Sequence, residues 1–192
     1  MTDPTATSTR LPQFVRTNPG VTNKCARDAS ILGWAVPCPA ALPGVSDPDW
    51  CTTGPVAAPT PTCVYTGGEP PIPMFYLSID FPGPSPAGPD TVRHLVIEAF
   101  PRGAEKVLDP PCVSAEPLPA LATTVGDLPM FRCGEKTLAN ESSIWHGEAI
   151  NTNHDLVRWY RNGIAYAVTL HRSGLDTSAI LRRVAEGLNY VS

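Results

Sequence analysis

The chain has 192 residues, 42% of them hydrophobic and 17% charged, with a net charge of −4. That length and hydrophobic content fit one globular domain with its own core and exclude global disorder. The mild acidity excludes nucleic acid as the main partner, because neutralising phosphates takes a basic face.

Residues 1–20 read as a flexible linker arm, and residues 21–192 as a single disulfide-stabilised domain. The first ten residues, MTDPTATSTR, are polar and carry no apolar core of a signal peptide. The arm is read as the linker that followed an export signal, a lipid anchor or a membrane helix, so contact with a membrane is expected only through that missing anchor. Residues 23–33 predict a short helix, with Asn23 as its cap and Gly33 as its stop. The longest apolar stretch, residues 31–37, is far too short to span a bilayer.

Residues 43–73 carry turn signals every few positions, among them Pro43-Gly44, Asp47-Pro48, Gly67-Gly68 and Pro70-Pro71. Most of the 23 prolines fall between Pro37 and Pro119. Proline fixes φ and removes a backbone donor, so this half needs a support other than hydrogen-bonded ladders. Six cysteines supply it: Cys25, Cys38, Cys51, Cys63, Cys112 and Cys133. No two are spaced as Cys-x-x-Cys, which argues against a zinc or thioredoxin-like centre. Fifteen pairings exist in principle. Local closure favours Cys25–Cys38, Cys51–Cys63 and Cys112–Cys133, each worth roughly 3 kcal/mol. The alternative is six buried reduced thiols. Persistent disulfides imply an oxidising compartment, so the expected location is extracellular or in the cell envelope, outside the cytoplasm. The 11 Arg against 3 Lys suggest a GC-rich bacterial genome.

Residues 74–81 are the first clear strand, alternating Phe75, Leu77, Ile79 and Phe81 with Tyr76, Ser78 and Asp80. After the loop PGPSPAGPD, residues 92–100 read as its antiparallel partner, with Leu95, Ile97 and Ala99 on one side. The loop is a candidate contact element, though an inert exposed loop is the commoner case. Residues 101–130 read as irregular, with a weak strand signal at residues 106–108. Residues 143–150, containing Trp145, form a further candidate strand.

The best-defined unit is C-terminal. Residues 154–161 and 164–171 flank Asn162-Gly163, the strongest short hairpin signal, since both central residues of a type I′ turn need positive φ. A two-residue loop sets Trp159 opposite Tyr166, Val157 opposite Val168 and Asp155 opposite Leu170. Asp176 then caps a helix to about Glu186, with Ile180, Leu181, Val184 and Leu188 on one stripe. The expected fold class is α+β: an antiparallel sheet of hairpins, a C-terminal helix on one face, and a Pro-rich, disulfide-stapled N-terminal half.

The stretch from Leu156 to Val191 carries Trp159, Asn162-Gly163, Tyr166 and Val168, then a helix with Ile180, Ala185 and Leu188. It resembles the C-terminal part of the extracytoplasmic domains of bacterial lipoproteins and sigma-factor regulators, of the lipoprotein-sorting and RseB-type fold. The resemblance covers about 36 of the 192 residues. It implies a curved antiparallel sheet with helices on one face, and sensing or binding of an envelope ligand rather than catalysis.

Candidate site residues are few. The same register sets His154 opposite His171, close enough to share a metal or titrate together, with His146 or Glu148 as a third ligand. Solvated strand ends are the commoner explanation of such a pair, and no metal or cofactor is assigned. Trp50, in a polar Asp-Pro-Asp-Trp-Cys loop, is the tryptophan chosen for exposure and binding; packing beside a disulfide competes with that reading. Trp159 is assigned to the core. Asp80 and Glu98 form a candidate carboxylate pair, and Ser143, His146 and Asp155 a candidate triad, but no catalytic motif frames either. No catalytic residue is assigned. The leading expectation is a non-enzymatic exported binding or sensing domain whose partner is an envelope ligand or protein. The alternatives are a secreted hydrolase using the His146, His154 and His171 neighbourhood, or a structural subunit of a surface assembly.

Overall fold

The computed structural model describes residues 11–48, 50–51, 62–67, 71–80, 94–104, 115–133, 154–171 and 176–192, without the side chains of His94, Ala115 and Cys133. In chain order the elements are β1 (Phe14–Arg16), α1 (Pro19–Leu32), β2 (Val36–Pro39), β3 (Ala41–Pro43), β4 (Val64–Gly67), β5 (Ile72–Asp80), β6 (His94–Pro101), β7 (Ala115–Thr123), β8 (Gly126–Cys133), β9 (His154–Arg161), β10 (Ile164–His171), α2 (Thr177–Glu186) and β11 (Leu188–Val191).

Seven strands form one antiparallel sheet in the order β4-β5-β6-β10-β9-β8-β7. Helices α1 and α2 both pack on one face of it. Strand alternation sends Phe75, Leu77, Ile79, Leu95, Ile97, Val157, Tyr166, Val168 and Leu170 to that face, where they meet Val21 and Ala29 of α1 and Ile180, Leu181 and Val184 of α2. The architecture is therefore an antiparallel sheet with a C-terminal helix on one face, as expected, with sheet dominating over helix among the described residues.

The helix ends follow from local chemistry. α1 begins four residues before the predicted start, because Asn18 caps it: its side chain accepts the Val21 N–H, and Pro19 fits the first turn, where no donor is needed. The stop at Gly33 falls as predicted, with φ 74°. Asp176 caps α2 by accepting the Ala179 N–H at 3.0 Å, also as predicted. The C-terminal hairpin has the predicted register throughout, and Asn162 and Gly163 hold φ of 50° and 77°.

Several expectations are corrected. Residues 14–20, assigned to the flexible arm, are folded: β1 pairs with β3, and the chain then enters α1. The region read as irregular holds the hairpin β7–β8. Its prolines hid it, and the structure shows how they are accommodated. β7, with Pro117 and Pro119, is the edge strand, and the pairing slips between Leu118 and Leu121, beside Pro129 of β8. Leu188, assigned to the helix stripe, begins β11, which pairs with β2 in a separate two-stranded ladder. The candidate strands at residues 106–108 and 143–150 and the loop at residues 82–90 lie outside the described residues.

Two of the three local disulfides are present. Cys25–Cys38 ties α1 to β2, and Cys51–Cys63 closes the approach to β4. Cys112 and the side chain of Cys133 lie outside the described residues. The two bridges belong to a non-reducing environment. Among the described residues, no helix is long and apolar enough to cross a membrane.

Candidate functional site

The face of the sheet opposite α1 and α2 carries a row of polar side chains set among buried apolar ones, Met74, Val96, Phe100 and Ala165. Alternation puts Tyr76 and Ser78 of β5, Glu98 of β6, Ala167 of β10 and Arg158 of β9 on this side. The registers join four of them into one cross-strand row, Tyr76–Glu98–Ala167–Arg158. Adjacent strands lie about 4.8 Å apart, so Glu98 and Arg158 stand roughly 10 Å apart across Ala167, which offers only a methyl group between them. The neighbouring row holds Phe100, Ala165 and Tyr160, and the Arg102 guanidinium lies 4.8 Å over the Tyr160 ring.

Burial changes the acid–base character of this row. Desolvation pushes the Glu98 carboxyl up to about 7, against the pull of the Arg158 charge. Tyr76 is pushed above its ordinary value, first by burial, then by the negative charge of Glu98 and by Tyr65, whose ring packs edge-on at 5.6 Å. Tyr76 therefore keeps its proton, and Glu98 gains one just below neutrality. The row then presents a phenol, a carboxyl and a guanidinium, all able to donate hydrogen bonds.

No protein-family model matches the chain, and comparisons with curated proteins and with solved structures find no match.

The residues singled out from sequence fall in different places. His154 and His171 are direct cross-strand partners on this same face, their ring centroids 4.9 Å apart and nearly perpendicular. His146 lies outside the described residues. The described side chains around this pair assemble no group of three or more metal-ligating residues.

Trp50 is not an exposed anchor. It is 4% exposed, packs on Phe75, and its indole N–H donates to Asp28 at 2.9 Å. The adjacent Cys51–Cys63 bridge and the buried Asp28 carboxylate draw the ring inward.

The carboxylate pair does not form a catalytic centre. Glu98 opposes Tyr76, and Asp80 opposes His94, four residues further along the strand. Strand geometry separates the two acids by about 14 Å, more than a hydrolytic acid–base pair spans. Asp155 lies on the helix-covered face, buried and paired bidentately with Arg132 at 3.0 and 3.2 Å, so it is engaged elsewhere than in a triad. Ser143 lies outside the described residues.

Sequence reasoning missed Tyr76 and Arg158 as site residues. Their alternation on strands was visible, but the row depends on β6 pairing with β10, which joins segments about 70 residues apart.

Proposed function

We propose that this chain is a non-enzymatic, exported binding domain that works at the cell envelope and takes an oxygen-rich envelope ligand on the sheet face opposite α1 and α2. The observation that carries this reading is the row Tyr76–Glu98–Ala167–Arg158: three hydrogen-bond donors of differing charge around a small residue, on a rigid sheet. Hydroxyl, carbonyl and carboxylate oxygens on a ligand match such donors, and Glu98 near neutrality links capture to pH. The two disulfides support the exported setting. The resemblance of the C-terminal hairpin and helix to lipoprotein-type extracytoplasmic domains supports the same reading.

The test is direct binding of the oxidised full chain to separated polysaccharide, peptide and lipid fractions of a bacterial envelope, followed by biolayer interferometry. One fraction should bind saturably. Arg158→Met and Tyr76→Phe should each weaken it by about tenfold, the loss of one good polar contact. Binding no stronger than that of heat-denatured protein, or untouched by both substitutions, would overturn the proposal.

A further inference from the structure

Arg161 ends β9 on the side of the sheet that carries α1 and α2, because its cross-strand partner Ile164 belongs to the core there. Trp159 stands two residues back on the same side, opposite Tyr166. Tyr190 of β11 meets both. Its hydroxyl lies 2.8 Å from the Trp159 indole nitrogen, and the Arg161 guanidinium sits 4.5 Å over its ring. Tyr166 backs the group, stacked on Trp159 and edge-on to Tyr190, and its own hydroxyl donates to the Ala35 carbonyl at 3.0 Å.

Two polar groups at this corner are oriented and unspent. The Tyr190 hydroxyl accepts from Trp159, and among the described residues its own proton meets no acceptor. Arg161 is exposed, and among the described residues no carboxylate pairs with it, although the chain carries a net charge of −4. Stacking on Tyr190 restrains the guanidinium without using its N–H groups, so less side-chain freedom is lost when they bind. Trp159 and Tyr190 are half-buried, which leaves part of each ring open beside the charge.

We infer that this corner is a binding subsite for a carboxylate-bearing saccharide, a uronic acid unit of an acidic glycan. A planar guanidinium matches a carboxylate through two parallel hydrogen bonds. The Tyr190 O–H is placed to donate to a sugar oxygen, and the open aromatic surface suits the apolar C–H face of a pyranose. Arg161 and the Tyr190 proton are donors. A sugar answers them with oxygens all round its ring, whereas a peptide also brings backbone N–H groups, which a guanidinium cannot accept. The subsite lies on the opposite side of the sheet from the row Tyr76–Glu98–Ala167–Arg158, and each stands or falls without the other.

The experiment titrates the oxidised full chain with a galacturonic acid trisaccharide, its methyl ester, neutral maltotriose and N-acetyl dialanine, followed by nuclear magnetic resonance. The acidic trisaccharide should bind saturably with a dissociation constant of roughly 1 mM or tighter and shift the Trp159 indole N–H signal. The ester, maltotriose and the peptide should each bind at least tenfold more weakly. Arg161→Met should weaken the acidic trisaccharide at least tenfold and Tyr190→Phe severalfold, while Arg182→Met, at an exposed position of α2, should leave its affinity unchanged. Arg161 is exposed and Tyr190→Phe keeps the ring, so both variants retain the fold. No saturable shift, equal affinity for the acid and its ester, unaltered affinity in Arg161→Met, or tighter binding of the peptide would each overturn the inference.

Discussion

Asp28 on α1 is fully buried and accepts the indole N–H of Trp50 at 2.9 Å. Its two oxygens also accept from the Thr62 hydroxyl, the Cys63 backbone N–H and the Arg27 guanidinium. One carboxylate thus joins the helix to both sides of the Cys51–Cys63 bridge. A buried carboxylate with every oxygen engaged stabilises only as a complete set. Asp28→Ala leaves the Trp50 and Cys63 donors buried without partners, and should cost about 3 kcal/mol. Chemical denaturation followed by tryptophan fluorescence checks this, and a loss below about 1 kcal/mol would show the network to be dispensable.

The disulfides give a second expectation. Cys25–Cys38 and Cys51–Cys63 each close a short loop, with sequence separations of 13 and 12. Replacing either pair with serine should remove roughly 3 kcal/mol, a fall in melting temperature of roughly 6–12 °C for a chain of this size. Calorimetry of each double variant makes the measurement, with an unchanged melting temperature as the contrary result.

Tyr190 of β11 closes an aromatic group over the C-terminal hairpin. Its hydroxyl accepts the Trp159 indole N–H at 2.8 Å, its ring meets Tyr166 edge-on at 5.0 Å, and Trp159 stacks on Tyr166. Tyr190→Phe keeps the ring and strands the indole donor. It should cost about 1 kcal/mol. Tyr190→Ala also removes the ring packing and should cost about 3 kcal/mol, measured by urea titration. Equal costs for the two would mean that the hydrogen bond alone matters.

Glu98 predicts a pH dependence of stability with a definite sign. Its folded-state pKa, about 7, is raised above its ordinary value of 4.5, so the folded state holds the proton more tightly than the unfolded one. Stability linked to this group is therefore full below about pH 4.5 and is lost as pH rises towards 7. Glu98→Gln should be near neutral at pH 4.5 and stabilising at pH 8, on the order of 2 kcal/mol after allowance for partial exposure. Melting curves of both proteins across that range decide it; parallel curves would show that Glu98 titrates normally.

Gly163 supplies the left-handed turn between β9 and β10, with φ 77° and open space around the position of a Cβ. Gly163→Val meets backbone strain rather than a clash, and should cost about 1–2 kcal/mol. The register should survive, because Trp159–Tyr166 and Val157–Val168 hold it from the core side. Loss of the cross-strand amide contacts in nuclear magnetic resonance spectra would instead assign the register to the turn.

The sequence alone determined what depends on near neighbours. Asn162-Gly163 dictated a tight turn and with it the whole β9–β10 register, including His154 against His171. Alternation marked β5 and β6, Asp176 and Gly33 marked helix ends, and close spacing selected Cys25–Cys38 and Cys51–Cys63. These signals are local: a φ sign, a cap, a short loop to close.

Only the tertiary structure decided the rest. Edge placement and a register slip let prolines into β7 and β8, where composition alone argued against strands. A buried carboxylate on α1 turned Trp50 inward from a polar loop. β6 beside β10 created the row Tyr76–Glu98–Ala167–Arg158 on the face opposite α1 and α2, drawing Glu98 towards Arg158. The partners in that row are separated by tens of residues. Their meeting depends on which strand edges the core brings together, and no local pattern in the chain records that choice.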